Sequence, residues 1–190
     1  MIQTRRLVLR RMLKTDCRDM YEYACQPQVT KYLLWSEHDS ETYTARYLAY
    51  IQSRYRAGEF FDWAIVLKDP ENPNAPVEGL RRPGKMIGTC GFTRFHPEHN
   101  SAEIGYVVNP AYWGMGIAPE AVRAVLRFGF ADLRLHRIEA RYMAGNEASR
   151  RVMEKAGMTF EGIARESMFV KGAFVSVGTC SILRHEWEKR

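Results

Sequence analysis

Ala102-Glu103-Ile104-Gly105-Tyr106-Val107-Val108, followed closely by Trp113-Gly114-Met115-Gly116-Ile117-Ala118-Pro119-Glu120, decides how this chain folds. The first run is apolar and is ended by Pro110, which predicts a strand. Gly114 and Gly116 allow a turn closed to other residues, and Pro119 suits the first turn of a helix, where no intrahelical N–H is needed. Val122, Val125, Leu126, Gly129 and Leu133 then form the apolar stripe of that helix. A strand, a glycine turn and a helix start aim the amides of Met115, Gly116, Ile117 and Ala118 at one point. Such a point suits a phosphate, since free N–H groups and the helix dipole both favour an anion.

Working outward, a second unit of the same kind follows. Arg137 to Tyr142 reads as a strand, Asn146 as the N-cap of a short helix with Ser149 at its third position, and Gly157 as its stop. A strand-helix-strand succession predicts a right-handed parallel crossover. If the two strands are parallel neighbours, both helix starts lie at one edge of the sheet, where one elongated ligand reaches both.

The flanks read more simply. Upstream are a strand over Arg5 to Arg10, a helix for which Thr15-Asp16 offers the cap, and a helix from Ser40 to Gly58. Strands over Phe60 to Leu67 and Met86 to Phe95 follow, with a turn at Pro97-Glu98-His99-Asn100. Lys68 to Gly84, with four prolines and two glycines, reads as a long connection between strands. Strands over Thr159 to Val170 and Phe174 to Leu183 close the chain, with a bulge predicted at Gly178. The fold class is α+β: a single domain over residues 1–190, with a mixed, mostly antiparallel sheet of about seven strands and about four helices on its faces.

The 190 residues are 46% hydrophobic and 26% charged, which excludes a disordered or collagen-like chain. No apolar run nears the roughly 18 residues of a membrane span, and residues 1–10 have no signal-peptide core. The net charge is +6, but the basic residues are scattered and never run beyond pairs such as Arg150-Arg151. A basic nucleic-acid-binding module is the non-enzyme alternative, but the sequence lacks the basic stripe or aromatic RNA-binding signature that such a module carries. Cys17, Cys25, Cys90 and Cys180 form no C-x-x-C pair and adjoin no histidine cluster, so neither a zinc site nor any other metal is expected. Free thiols suit a reducing cytoplasm. No G-x-x-x-x-G-K-[ST] occurs, and a dinucleotide G-x-G-x-x-G fails at Pro119.

The segments 102–108, Tyr112 to Ala121 and Asn146 to Met158, with the opening Thr4-Arg5-Arg6-Leu7-Val8-Leu9-Arg10, resemble the GNAT superfamily of acyl-CoA N-acyltransferases. Within it they are most similar to the ribosomal-protein N-terminal acetyltransferases of RimJ/RimL type. The resemblance covers nearly the whole chain. The family pattern [QR]-x-x-G-x-[GA] falls on Trp113 to Ala118, with Trp113 departing from the Gln/Arg position.

The resemblance implies acetyl-CoA as co-substrate, its pyrophosphate on the amides of Met115, Gly116, Ile117 and Ala118, and its pantetheine against a splayed strand at Val107 and Val108. It implies Asn146 near the thiol end and Ser149 close to the sulfur. A free amine would attack the thioester carbon, with the N–H of Val108 facing the oxyanion and Ser149 supplying the leaving group's proton. Glu103 is one candidate base; Glu161 and Glu166, on the strand after the short helix, are others. Tyr32, Trp35, Tyr43, Tyr47 and Tyr50 would wall the acceptor groove, while His38, His96, His99, His136 and His185 are read as structural. The acceptor is expected to be a protein N-terminal α-amine, with a small amine such as a polyamine or antibiotic as the alternative, and the enzyme a monomer or homodimer.

Overall fold

The computed structural model describes residues 1–58, 61–68 and 84–189. Eight strands form one sheet: β1 (Ile2–Gln3), β2 (Leu7–Arg10), β3 (Phe61–Leu67), β4 (Met86–His96), β5 (Ser101–Val108), β6 (Arg137–Met143), β7 (Thr159–Val170) and β8 (Ala173–Leu183). Their spatial order is β1-β2-β3-β4-β5-β6-β8-β7. Only β5 and β6 pair in parallel; the other described neighbours are antiparallel. The count exceeds seven because Ile2–Gln3 adds a two-residue edge, too short to leave a pattern in the sequence.

Four helices cover the faces: α1 (Cys17–Ala24), α3 (Glu41–Arg56), α4 (Ile117–Ala131) and α5 (Glu147–Ala156). Single-turn helices α2 (Pro27–Thr30) and α6 (Arg184–Trp187) supplement them. Among the described residues no helix is long and apolar enough to cross a membrane. The connection expected over 68–84 lies, apart from Lys68 and Gly84, outside the described residues.

Strand alternation splits the interior in two. Leu7, Leu9, Trp63, Ile65, Ile104, Ile138 and Ile182 face α4 and α5 in the larger core. Val8, Ala64, Val66 and Met86 face α1 and α3 in the smaller one. Burial of this apolar surface, at about 25 cal/mol per Å², is what fixes the register of each strand.

Two local expectations need correction. Asp16 stands where α1 begins, but its carboxylate makes no cap bond. It accepts instead from Arg10 at 2.7 and 2.8 Å and from the Leu13 N–H at 2.7 Å. Gly178 carries no bulge: the β6–β8 register runs unbroken through it. The bulges lie on the partner strand β7, between Phe160 and Gly162 and between Ala164 and Met168. Glycine is required at 178 because a Cβ there would stand 2.4 Å from the Tyr142 ring.

Candidate active site

β5 and β6 pair only at Ser101–Arg137, Ala102–Ile138 and Glu103–Glu139. Beyond Glu103 the strands part, and Ile104 to Val108 have no partner on that side. The ladder on the other side sets the direction of the freed groups. Asn109 N–H donates to the Ile87 carbonyl at 2.8 Å, which makes those two a hydrogen-bonded pair. Gly88 and Val108 are then a non-bonded pair, so the N–H and C=O of Val108 point away from β4, into the slot. The Val108 carbonyl is taken by the indole N–H of Trp113 at 2.7 Å. Trp113, at the position where the family pattern has Gln or Arg, thus ties the turn to the end of β5.

At the mouth of the slot Gly114 and Gly116 adopt φ of +78° and +73°, and Gly116 is the N-cap of α4. Ile117 and Ala118 occupy the first turn, whose N–H groups have no intrahelical acceptor. Pro119 next to them has no N–H at all, and the amides of Met115 and Gly116 donate to no described residue. Arg6 braces this turn: its Nη1 donates to the Met115 carbonyl at 2.9 Å and its Nε to Glu120 at 2.7 Å. Thr4 Oγ1 donates to the same carboxylate at 2.6 Å. Burial alone would raise the Glu120 pKa; the bonds from Thr4 and Arg6 outweigh it and lower it.

The start of α5 forms the other side. Asn146 Oδ1 accepts from the Ser149 N–H at 3.2 Å, leaving its own amide group uncommitted among the described residues. Ser149 Oγ lies 2.8 Å from the phenol of Tyr106, which also donates to the Ser149 carbonyl at 2.9 Å. Burial pushes the Tyr106 pKa well up, so the phenol stays protonated. Tyr106 is not among the candidate residues that the sequence motifs mark. The available signal was strand phase, which puts it on the face shared with Ile104 and Val108.

The candidate carboxylates are dispersed. Glu103 is paired with Arg141 at 2.5 Å where the slot begins. Glu161 accepts from Arg137 at 2.6 and 2.7 Å and from Ser181 at 2.7 Å, and the guanidinium, foremost, pulls its pKa down to about 2. Glu166 is exposed in a β7 bulge with φ +45°. Val107 points to the α1/α3 side, where it packs on the smaller core. There His38 is buried against Thr44 at 2.8 Å and ringed by Trp35, Tyr43 and Tyr47 at 5.4, 4.8 and 5.9 Å between ring centroids. Tyr32 approaches the Gly145 turn, and Tyr50 is half exposed.

Unpaired amides at a positive helix end, an N–H aimed into the slot and a hydroxyl beside it fit an elongated thioester carrying phosphates. Residues 6–159 match the acetyltransferase (GNAT) domain family. The chain belongs to the GNAT family of acetyltransferases. An uncharacterized N-acetyltransferase of Bacillus licheniformis, p20, is 30% identical over 186 residues, 98% of this chain and 97% of that protein. Two solved GNAT structures share the fold. One is the Vibrio cholerae spermidine N-acetyltransferase in complex with CoA and spermine, at TM-score 0.74 and 20% identity, covering 96% of this chain and 98% of that one. The other is RimL, the ribosomal L7/L12 alpha-N-protein acetyltransferase, in complex with CoA, at TM-score 0.75 and 16% identity, covering 95% of each chain.

Proposed function

We propose that this GNAT acetyltransferase moves the acetyl group of acetyl-CoA onto a protein N-terminal α-amine. The carrying observation is the convergence of two helix starts on one slot: the free amides of Met115 to Ala118 on one side, Asn146 and Ser149 on the other. The amides hold the pyrophosphate, the parted edge of β5 at Val108 faces the pantetheine while the backbone groups of Val107 are turned to β4, and Asn146 Nδ2 reaches the distal amide of the cofactor. The amine attacks the thioester carbon directly, with the Val108 N–H facing the developing oxyanion. Ser149 hands a proton to the departing sulfur, and Tyr106 holds its hydroxyl in place. Positioning both substrates supplies much of the acceleration.

The acceptor reading rests on the aromatic wall of Trp35, Tyr43 and Tyr47, which suits a peptide end, and on the chemistry of the amine. An α-amine with a pKa of about 7.7–8.0 is partly neutral at physiological pH, whereas a lysine at about 10.4 is almost wholly protonated. The test is CoA release from acetyl-CoA with three acceptors. These are a peptide with a free N-terminus and no lysine, a blocked peptide bearing lysine, and spermidine. Fast turnover confined to the first peptide is expected, rising with pH to a plateau near about 8. Transfer mainly to lysine or to spermidine overturns the N-terminal reading.

A further inference from the structure

On the face of the sheet opposite Ser149 lies a carboxylate that none of the groups above uses. Asp62 sits on β3 in phase with Ala64 and Val66, whose side chains enter the smaller core beneath α1 and α3. Its register partner on β4 is Gly91, and Gly91 faces Gly105 on β5. One row across the sheet therefore runs from Asp62 over two glycines to the slot. The carboxylate leans along that row: a Cβ on Gly91 would stand 2.7 Å from Asp62 Oδ1. Gly105 is then one strand away, about 4.8 Å, with the Thr93 methyl beside it.

The chemistry of the side chain matches its place. Asp62 Oδ1 accepts from the Trp63 N–H at 3.0 Å, and its other oxygen takes no hydrogen bond from any described residue. The residue is only partly covered, and this oxygen is not among the fully sealed polar atoms. The groups that face it are the phenols of Tyr23 on α1 and of Tyr47 and Tyr55 on α3. Burial holds each of them above its ordinary pKa and therefore uncharged. Tyr55 Oη donates to the Asp62 backbone carbonyl at 2.7 Å, which fixes the strand at this point. Glu103 shares the face but is occupied by Arg141.

We propose that Asp62 is the residue that takes the proton from the acceptor's ammonium group. The assignment rests on the acetyltransferase reading above. The acceptor enters from the α1/α3 face while the thioester lies in the slot; the two meet on the stretch of β5 between Gly105 and Val108, and water carries the proton along that face to Asp62. Two protons leave nitrogen as the N–C bond forms and the C–S bond breaks. One passes to the Asp62 carboxylate and on to solvent; the other is balanced by the proton that ends on the CoA sulfur. Desolvation pushes Asp62 up to about 7, so the group is both ionised enough to accept a proton and basic enough to hold it near neutral pH.

The test compares wild type with Asp62→Asn on two amines. One is a peptide α-amine, largely protonated at pH 7; the other is aminoacetonitrile, neutral at that pH and in no need of a base. Asp62→Asn is expected to slow transfer to the peptide by about 10²–10⁴-fold and to move the acidic limb of its pH profile up to the amine's own pKa of about 8. Transfer to aminoacetonitrile should change by less than about tenfold, and acetyl-CoA affinity should stay as in wild type. Equal losses on both amines make Asp62 a structural residue and overturn the assignment, as does a variant that keeps both the rate and the acidic limb. Should Asp62→Asn fail to fold, Asp62→Glu takes its place: a displaced acidic limb supports the role and an unmoved one refutes it. A wild type inert toward every amine removes the acetyl-transfer reading itself, and Asp62 falls with it.

Discussion

The hydroxyls of Tyr106 and Ser149 meet at 2.8 Å, one from the fifth strand and one from the first turn of the fifth helix. The contact bridges the gap that opens between β5 and β6. It sits on the α4/α5 face, opposite Asp62. Because the single proton of the phenol goes to the Ser149 carbonyl, the Ser149 hydroxyl donates to Tyr106 Oη, and the serine side chain is held in one orientation.

Ser149→Ala is expected to lower kcat by about 10²–10⁴-fold with little change in acetyl-CoA affinity. Tyr106→Phe should lower kcat by about tenfold, since it removes only the constraint on the serine. The double variant should be no slower than Ser149→Ala alone, because the phenol acts through that hydroxyl. Steady-state kinetics on the three variants, with calorimetric titration of acetyl-CoA, check this.

Gly116→Val should weaken acetyl-CoA binding strongly. In the free protein the new side chain has room, the nearest atom to a Cβ being Arg6 Nη2 at 3.5 Å. On the proposed cradle it would meet the pyrophosphate only when acetyl-CoA binds. The left-handed backbone adds its own cost of about 1–2 kcal/mol to folding. The melting temperature should therefore fall by a few degrees while the affinity falls by orders of magnitude, read by thermal melts and titration side by side.

Arg6→Ala should destabilise the protein, and more at pH 7 than in acid. Glu120 has its pKa lowered in the fold, so its ion pair contributes above the ordinary glutamate pKa of about 4.3 and fades as pH falls through the folded value. The gap in unfolding free energy between wild type and Arg6→Ala, followed by urea titration from pH 7 down to pH 3, should narrow. A gap independent of pH would mean that Arg6 acts through packing alone.

Asp62 makes the opposite prediction. Its folded pKa of about 7 lies above the unfolded value, so the native state holds the proton more tightly. Wild type should lose stability relative to Asp62→Asn as pH rises from about 4 to about 7, and not beyond. At about 1.4 kcal/mol for each pKa unit, the full difference is of the order of a few kcal/mol, reduced by the solvent that reaches the side chain. Parallel urea melts at pH 4 and pH 8 measure it without any amine present.

Local signals in the sequence carried much of this. Asn146 caps α5 and Gly157 ends it at φ +98° because those residues act within one turn of where they stand. The glycine turn before α4 and the parallel β5–β6 pair were legible for the same reason, from punctuation and element order. Contacts between distant segments were not. Arg6 reaches Glu120 across 114 positions, and nothing in either local pattern announces it. Gly178 shows how a local rule misleads: its bareness serves the Tyr142 ring on the next strand, while the expected bulge sits on β7. Asp62 left a readable trace, a charged residue in the buried phase of an otherwise apolar strand. Buried polar groups are the informative exceptions.

The lone parallel seam also divides the chain as it divides the sheet. Every strand on the α1/α3 side of the opening comes from residues before Asn109, and every strand beyond it from residues after. The amides and hydroxyl assigned to the thioester belong mostly to the later stretch, while the aromatic wall and Asp62 belong to the earlier one. A change of acceptor can thus accumulate in one contiguous half of the gene while the other half stays fixed. A crossover near Val108 would exchange acceptor preference between relatives as a block, with Arg6–Glu120, Glu103–Arg141 and Tyr106–Ser149 among the joins that such a chimera must preserve.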